Sequence, residues 1–257
     1  MAENSIADIL AIAAHRDDVE QTCGGTLLKM KALGWRTAIL DLTQGEAGTR
    51  GSAEDRATEA ADAGRILGVS WRRALDIPDG RVENTWENRL KVASVIRETR
   101  PRAVILPYWK GRHPDHYTCS VLGYEACFLA GLAKLTLSSQ PPALRQDASG
   151  SKSESLAPHR PFKIVYATLY YDVRPTFVVD ISQQFEQKFA SILAYKSQFS
   201  DQEAGKDLFP AHNEIRARVD AMARYYGMLG GVTHAEPFLQ KEVGLVEDLL
   251  TIPVKSI

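Results

Sequence analysis

Cysteine is scarce: Cys23, Cys119 and Cys127 are an odd set of three with no C-x-x-C pair among 257 residues. A disulfide framework wants an even count and a thiolate zinc site wants paired spacing, so neither applies, and the three are read as reduced thiols. A surplus of charge is also missing. Lys and Arg total 31 against 32 Asp and Glu, for a formal net charge of −1. Bulk electrostatics therefore point to no nucleic acid and no membrane as partner. No apolar run reaches the ~20 residues of a membrane span. The opening MAENSIADIL has two acids and no base, unlike a secretory leader. A G-x-G-x-x-G fingerprint is absent too, Gly24–Gly25 being no match for it, which argues against a dinucleotide site. The expectation is a cytoplasmic protein.

What is present is an ordinary globular composition, 44% hydrophobic and 25% charged, enough for one domain with a large core. Residues 7–14 and TAILDLT (37–43) read as short buried strands, with TCGGTLLKMKALG between them as a helix stopped by Gly34. EDRATEAADAGRILG is a helix ending at Gly68, RRALDIP a weaker strand, NRLKVASVIRETR a helix ended by Pro101, and AVILPY another strand. DHYTCSVLGYEACFLAGLAKL follows as a long helix. This alternation predicts an α/β fold, a Rossmann-like doubly wound and mostly parallel sheet with helices on both faces. Residues 137–160, rich in Ser, Pro and charge, read as a mobile loop. KIVYATLYY and TFVVDIS read as strands, and FEQKFASILAYKSQF and EIRARVDAMARYYGMLGG as helices. One domain spans 1–257, with a strand and helix extension over 161–257.

Chemistry concentrates at two strand ends. The first strand runs into AHRDDVE, bearing His15, Asp17 and Asp18, and AVILPY runs into GRHPDHY, bearing His113, Asp115 and His116. The carboxyl ends of parallel strands share one edge, where ligand crevices form. Each motif alone could be a turn with a helix cap. Together they read as a site for metal-assisted hydrolysis, in which three N/O ligands hold Zn²⁺ and a carboxylate serves as general base. The lack of thiolate ligands leaves room for other divalent metals. GEAGTRG (45–51) reads as an anion cradle or a flexible turn, bringing Glu46 and Arg50 near the second strand end. His159, His212 and His234 read as surface or structural.

AHRDDVEQTCGG together with GRHPDH resembles the LmbE-like (PIG-L type) N-acetylglucosaminyl de-N-acetylases, whose first motif usually reads A-H-P-D-D. DLTQGEAGTRG, LDIPDGRVEN, FVVDISQQFEQKFASILAYKSQF and HAEPF are similar, more narrowly, to the bacillithiol biosynthesis deacetylases. The resemblance implies His15, Asp18 and His116 as zinc ligands and Asp17 as general base. It implies His113 as the group that steadies the intermediate or protonates the amine, with Asp115 orienting it. Arg56 and Asp79 match sugar-contacting positions, and Arg112 is the candidate for an acidic aglycone. The implied partner is a small-molecule GlcNAc conjugate, with N-acetylglucosaminyl malate favoured. The implied assembly is a homo-oligomer, a hexamer by resemblance.

One position departs from the pattern: Arg16 stands where the family usually has Pro. Its cation beside Asp17 would favour the ionised carboxylate and weaken the base, unless the side chain points away from the site. Two other functions stay open at this level. One is a deacetylase or amidase on another GlcNAc or thiol conjugate, and the other a sugar-binding homologue impaired in catalysis.

Overall fold

The computed structural model of the protein describes residues 7–138, 155–169, 171–200, 205 and 210–254. Seven strands form one sheet in the order β3-β2-β1-β4-β5-β7-β6. The strands are β1 (Ile9–Ala13), β2 (Thr37–Asp41), β3 (Trp71–Ala74), β4 (Ala103–Pro107), β5 (Lys163–Ala167), β6 (Phe177–Asp180) and β7 (Ala235–Leu239). The first five pair in parallel, and β7 runs antiparallel to both β5 and β6. The expected doubly wound, mostly parallel α/β sheet is what forms.

The strands are apolar on both faces because helices cover both. Leu10 and Ile12 of β1 pack with Ala38, Leu40 and Val104 beneath α4 (Trp86–Thr99) and α5 (Pro114–Ala130). Ala11 and Ala13, one residue out of phase, face Val19, Leu27 and Leu67 of α1 (Asp18–Thr22), α2 (Gly24–Ala32) and α3 (Ala53–Leu67). Two interleaved faces from one strand are the signature of period-2 side chains buried on both sides. No described helix is long and apolar enough to cross a membrane.

The structure differs from the sequence reading in several elements. The helix expected over TCGGTLLKMKALG forms as α2, and a further short helix, α1, precedes it and meets it at Cys23. FEQKFASILAYKSQF divides into α6 (Phe185–Leu193) and α7 (Lys196–Phe199), because Tyr195 takes a non-helical backbone (φ −83, ψ 70). The 161–257 segment supplies three strands to the same sheet, and α8 (His212–Gly230) precedes β7. Of the 137–160 loop, residues 139–154 lie outside the described residues. Its ends are tied down: Ser138 bridges Ser155, and the buried Arg97 donates to Leu135 O (2.8 Å) and Leu156 O (3.0 Å).

Candidate active site

Four loops at the carboxyl edge of the sheet build the site. In order 3-2-1-4 the connections leave β1 and β4 in opposite directions, opening the crevice that such sheets use for ligands. His15, Arg16 and Asp17 fill the short step from β1 to α1, while His113 caps α5, with Pro114 at its first position. Pro there has its φ preset for a helix and no N–H to satisfy. The HPDH turn thus fixes where Asp115 and His116 begin.

His15 is the hub. Its Nδ1 lies 3.1 Å from His116 Nε2 and 3.5 Å from Asp18 Oδ2, and His116 Nε2 lies 3.1 Å from Asp18 Oδ1. Its other nitrogen, Nε2, lies 3.0 Å from Asp79 Oδ1 and 3.4 Å from Asp115 Oδ2. The two acids are themselves held by amides: Gly80 N and Val82 N donate to Asp115, and Ala47 N donates to Asp79. Burial alone would lower the His15 pKa, but its bonds to Asp115 and Asp18, aided by Asp79, lift it to about 12. Burial would raise Asp18, yet His116 and His15 hold it well below the usual carboxylate range. The pocket is a strongly cation-seeking field. His113 stacks on His116 (ring centroids 4.9 Å apart), and its Nδ1 accepts the Asp115 amide N–H at 3.2 Å.

Asp17 stands at the N-cap position of α1 but makes no side-chain cap bond there. Its carboxylate instead accepts from Arg56 Nη2 at 2.9 Å. Arg56 can lie over the glycine-rich loop because Gly45 has no Cβ; one would sit 2.8 Å from Arg56 Nε. Arg16 turns elsewhere, with its guanidinium donating to Ala53 O at 2.8 Å. The cation paired with Asp17 is therefore Arg56 and not Arg16. The Arg16 carbonyl is gripped from behind by Arg72 and by the Tyr195 hydroxyl. Arg72 also binds Asp41 (2.8 Å) and Glu20 (2.6 Å), and burial pushes the Glu20 carboxyl up to about 7.

The sequence-expected residues are sorted by these contacts. His15, Asp17, Asp18, Arg56, Asp79, Arg112, His113 and His116 line one open cleft of about 590 Å³. Asp115 is buried beneath it, with its carboxylate on His15 and two backbone amides. The expectation that Asp115 orients His113 through its carboxylate is corrected: its amide meets His113 and its carboxylate meets His15. Asp79, expected on the sugar, also contacts His15. Glu46 does not line the cleft; it accepts from Asp79 N (2.8 Å) and Gln44 N (3.2 Å), which joins two site loops. Arg50 is buried and donates to Gln198 O (3.0 Å) and Ser200 O (3.3 Å), which makes it a brace between the glycine-rich loop and α7. Sequence reasoning missed Arg72 and Tyr195, which lie 56 and 179 residues from the carbonyl they hold. No local pattern signals either.

The donor set suits a divalent metal. Clusters of potential ligands include His15, His113 and His116, and His15, Asp79 and Asp115. On the cleft side, the mutual spacings of His15 Nδ1, His116 Nε2 and Asp18 are 3.1–3.5 Å. Ligands at ~2.0–2.1 Å around a tetrahedral ion lie about 3.4 Å from one another. The Asp79–Asp115 side is filled by backbone donors, as expected for carboxylates that orient a ligating imidazole from its far nitrogen.

Fold and cleft define a doubly wound α/β protein with a histidine–carboxylate centre at its switch point. The chain belongs to the PIG-L family, described as GlcNAc-PI de-N-acetylase, whose pattern matches residues 10–127. It is 30% identical over 244 residues to the diacetylchitobiose deacetylase of Thermococcus kodakarensis, covering 91% of this chain and 82% of that one. It is 26% identical to the 1D-myo-inositol 2-acetamido-2-deoxy-alpha-D-glucopyranoside deacetylase of Kineococcus radiotolerans, covering 89% and 80%. Among solved structures, the conserved protein TT1542 from Thermus thermophilus aligns with a TM-score of 0.78 at 38% identity, covering 94% and 98%.

Proposed function

We propose that the protein is a metal-dependent N-deacetylase that hydrolyses the acetamide of an N-acetylglucosamine conjugate. The observation that carries this is the convergence of His15 Nδ1, His116 Nε2 and Asp18 within 3.1–3.5 Å of one another, on the cleft that Asp17 also lines. These three residues would hold Zn²⁺ or another divalent ion, which when bound acidifies water and polarises a carbonyl. Asp17, free of helix-capping duty and fixed by Arg56, takes the proton from the attacking water. His113 has Nδ1 occupied by an incoming amide N–H, so its neutral ring carries the proton on Nε2. That N–H donates to the oxyanion that develops on the acetamide carbonyl. Asp79 and Asp115 fix the His15 ring.

Relatives named for diacetylchitobiose and for an inositol glucosaminide support a GlcNAc-type substrate. Within that class we favour N-acetylglucosaminyl malate, a bacillithiol precursor, because of the C-terminal resemblance and because Arg112 lines the cleft. A guanidinium suits bidentate pairing with a carboxylate. The non-catalytic sugar-binding alternative rested on Arg16, and the bond of that side chain to Ala53 leaves it without support. Exposed Phe128 and Phe162 accord with a homo-oligomer. The test is kcat/KM on N-acetylglucosaminyl malate and on free N-acetylglucosamine, for the parent and for Arg112→Ala. The malate conjugate should be preferred, and the variant should lose roughly ten- to a hundredfold of that preference. Equal loss on both substrates would make Arg112 structural.

A further inference from the structure

Arg16 departs from the family pattern and takes no part in the steps proposed above. It is buried and does not line the cleft. Among the described residues its guanidinium forms no ion pair, and the bond from Nη1 to Ala53 O (2.8 Å) sets where it points. Ala53 is the first residue of α3. Arg56, whose Nη2 holds Asp17 Oδ1 at 2.9 Å, stands three residues further on. Positions i and i+3 of a helix lie on one face. Two consecutive residues of the β1–α1 turn, Arg16 and Asp17, thus bind neighbouring positions of a single helical turn.

That helical turn is itself secured. Ser52 Oγ accepts from Asp55 N (3.1 Å), and the Asp55 carboxylate accepts from Ser52 N (2.9 Å), a reciprocal cap that keeps the start of α3 from fraying. At its other end Arg16 is held through its carbonyl by Arg72 and Tyr195. Residue 16 is therefore pinned twice, by guanidinium to α3 and by carbonyl to the buried Arg72 cluster. A proline there would stiffen the turn through its fixed φ, but it has no side chain that reaches α3.

We infer that Arg16 is a positioning residue for the proposed base. By tying the β1–α1 turn to the first turn of α3, it fixes where the Arg56–Asp17 pair sits and so the direction of the carboxylate in the cleft. The inference rests on the proposed deacetylase reading and adds a residue that acts on the reaction through Arg56. A general base works only within hydrogen-bond reach of the proton it takes, and a misplacement of about 1 Å can cost on the order of 100-fold. Losing the tie leaves the ion pair formed but lets it swing. The effect falls on kcat, while KM, zinc content and the limbs of the pH–rate profile stay in place.

The experiment uses the full-length, zinc-loaded protein with N-acetylglucosaminyl malate and diacetylchitobiose, following amine release per bound zinc on the faster substrate. Arg16→Met keeps the stem and removes the donor, and should lower kcat about tenfold with KM and zinc content unchanged. Arg16→Lys, which keeps one donor, should recover most of that loss. The deciding comparison is made in Arg56→Met. There the carboxylate has already lost its guide, so adding Arg16→Met should change kcat by less than about twofold. A brace that serves only the fold would instead lower kcat by the same factor in both backgrounds, and that result would overturn the inference. So would a parent-like kcat in Arg16→Met, loss of its zinc, or a lysine variant no faster than the methionine one. In each of these cases an active parent leaves the deacetylase intact. No amine release by the parent from either conjugate would remove the deacetylase reading, and this inference with it.

Discussion

Arg56, in the first turn of α3, donates a 2.9 Å hydrogen bond to the carboxylate of Asp17, at the start of α1. The pair joins the starts of α1 and α3, and it aims the proposed base into the cleft. Asp17→Asn keeps the shape but cannot take a proton. Activity should fall roughly 10²- to 10⁴-fold with metal content unchanged. Arg56→Lys keeps a charge but loses the planar fork, so kcat should fall about tenfold or more, again with metal retained. Steady-state kinetics beside elemental analysis distinguishes these outcomes. Metal loss in Asp17→Asn would exchange the roles of Asp17 and Asp18.

The far side of His15 gives a second prediction. Asp115 accepts two backbone amides and faces His15 Nε2 at 3.4 Å. Asp115→Asn should weaken metal binding about 10- to 100-fold, measured by competition with a chromophoric chelator. His116→Ala, which removes a proposed ligand, should bind far more weakly still. Equal affinity in Asp115→Asn and the parent would show that Asp115 is dispensable and that Asp79, 3.0 Å from Nε2, suffices to hold the ring.

Arg16 supplies a third. On the sequence alone its cation either favours the ionised Asp17 carboxylate or points away from the site. The structure sends Arg16 to Ala53 O and gives Asp17 a different partner, Arg56. Arg16→Pro should therefore leave the pH–rate profile in place. It should cost about 1 kcal/mol of stability for the lost hydrogen bond. A shifted acidic limb would mean that Arg16 acts on Asp17 after all.

These three cases also show how far the sequence can be read. The β1-to-β4 half was legible because its strands are near-continuous apolar runs and its helices carry clear stops, as at Gly68. The cleft was legible because two histidine–aspartate motifs follow strands on one edge. β7 was not. AEPFL contains Pro237 and Glu236, which break any apolar alternation. The β5 strand pairs only with Phe238 and Leu239 of β7, and Pro237 lies outside that pairing. Glu236 is buried because it meets Lys188 (2.6 Å) and the amides of Gly25 and Thr26 more than two hundred residues away. Glu46 and Arg50 turn away from the cleft for the same reason. Residue type says that a group is polar, but only tertiary packing says which way it turns.

The grip on the Arg16 carbonyl yields a fourth prediction. Arg72 compensates two buried carboxylates, Asp41 and Glu20, while holding that carbonyl. Arg72→Met would strand both acids, and breaking a buried pair costs about 3–5 kcal/mol. Tyr195→Phe removes one donor and should cost about 1 kcal/mol. Urea unfolding of the two variants should separate them clearly. A near-neutral Arg72→Met would mean that the acids take up protons at little expense.

The central claim is that a metal held by His15, Asp18 and His116 works with Asp17 to hydrolyse an acetamide. The most direct measurement is acetate release from N-acetylglucosaminyl malate by three preparations of the full-length protein. These are the parent with one equivalent of Zn²⁺, the parent stripped with a chelator, and Asp17→Asn with one equivalent of Zn²⁺. The account predicts stoichiometric acetate and free amine from the first, with activity lost in the second and restored by added metal. It predicts a roughly 10²- to 10⁴-fold slower rate from the third. Undiminished acetate release from the stripped parent, or from metal-loaded Asp17→Asn, would contradict it.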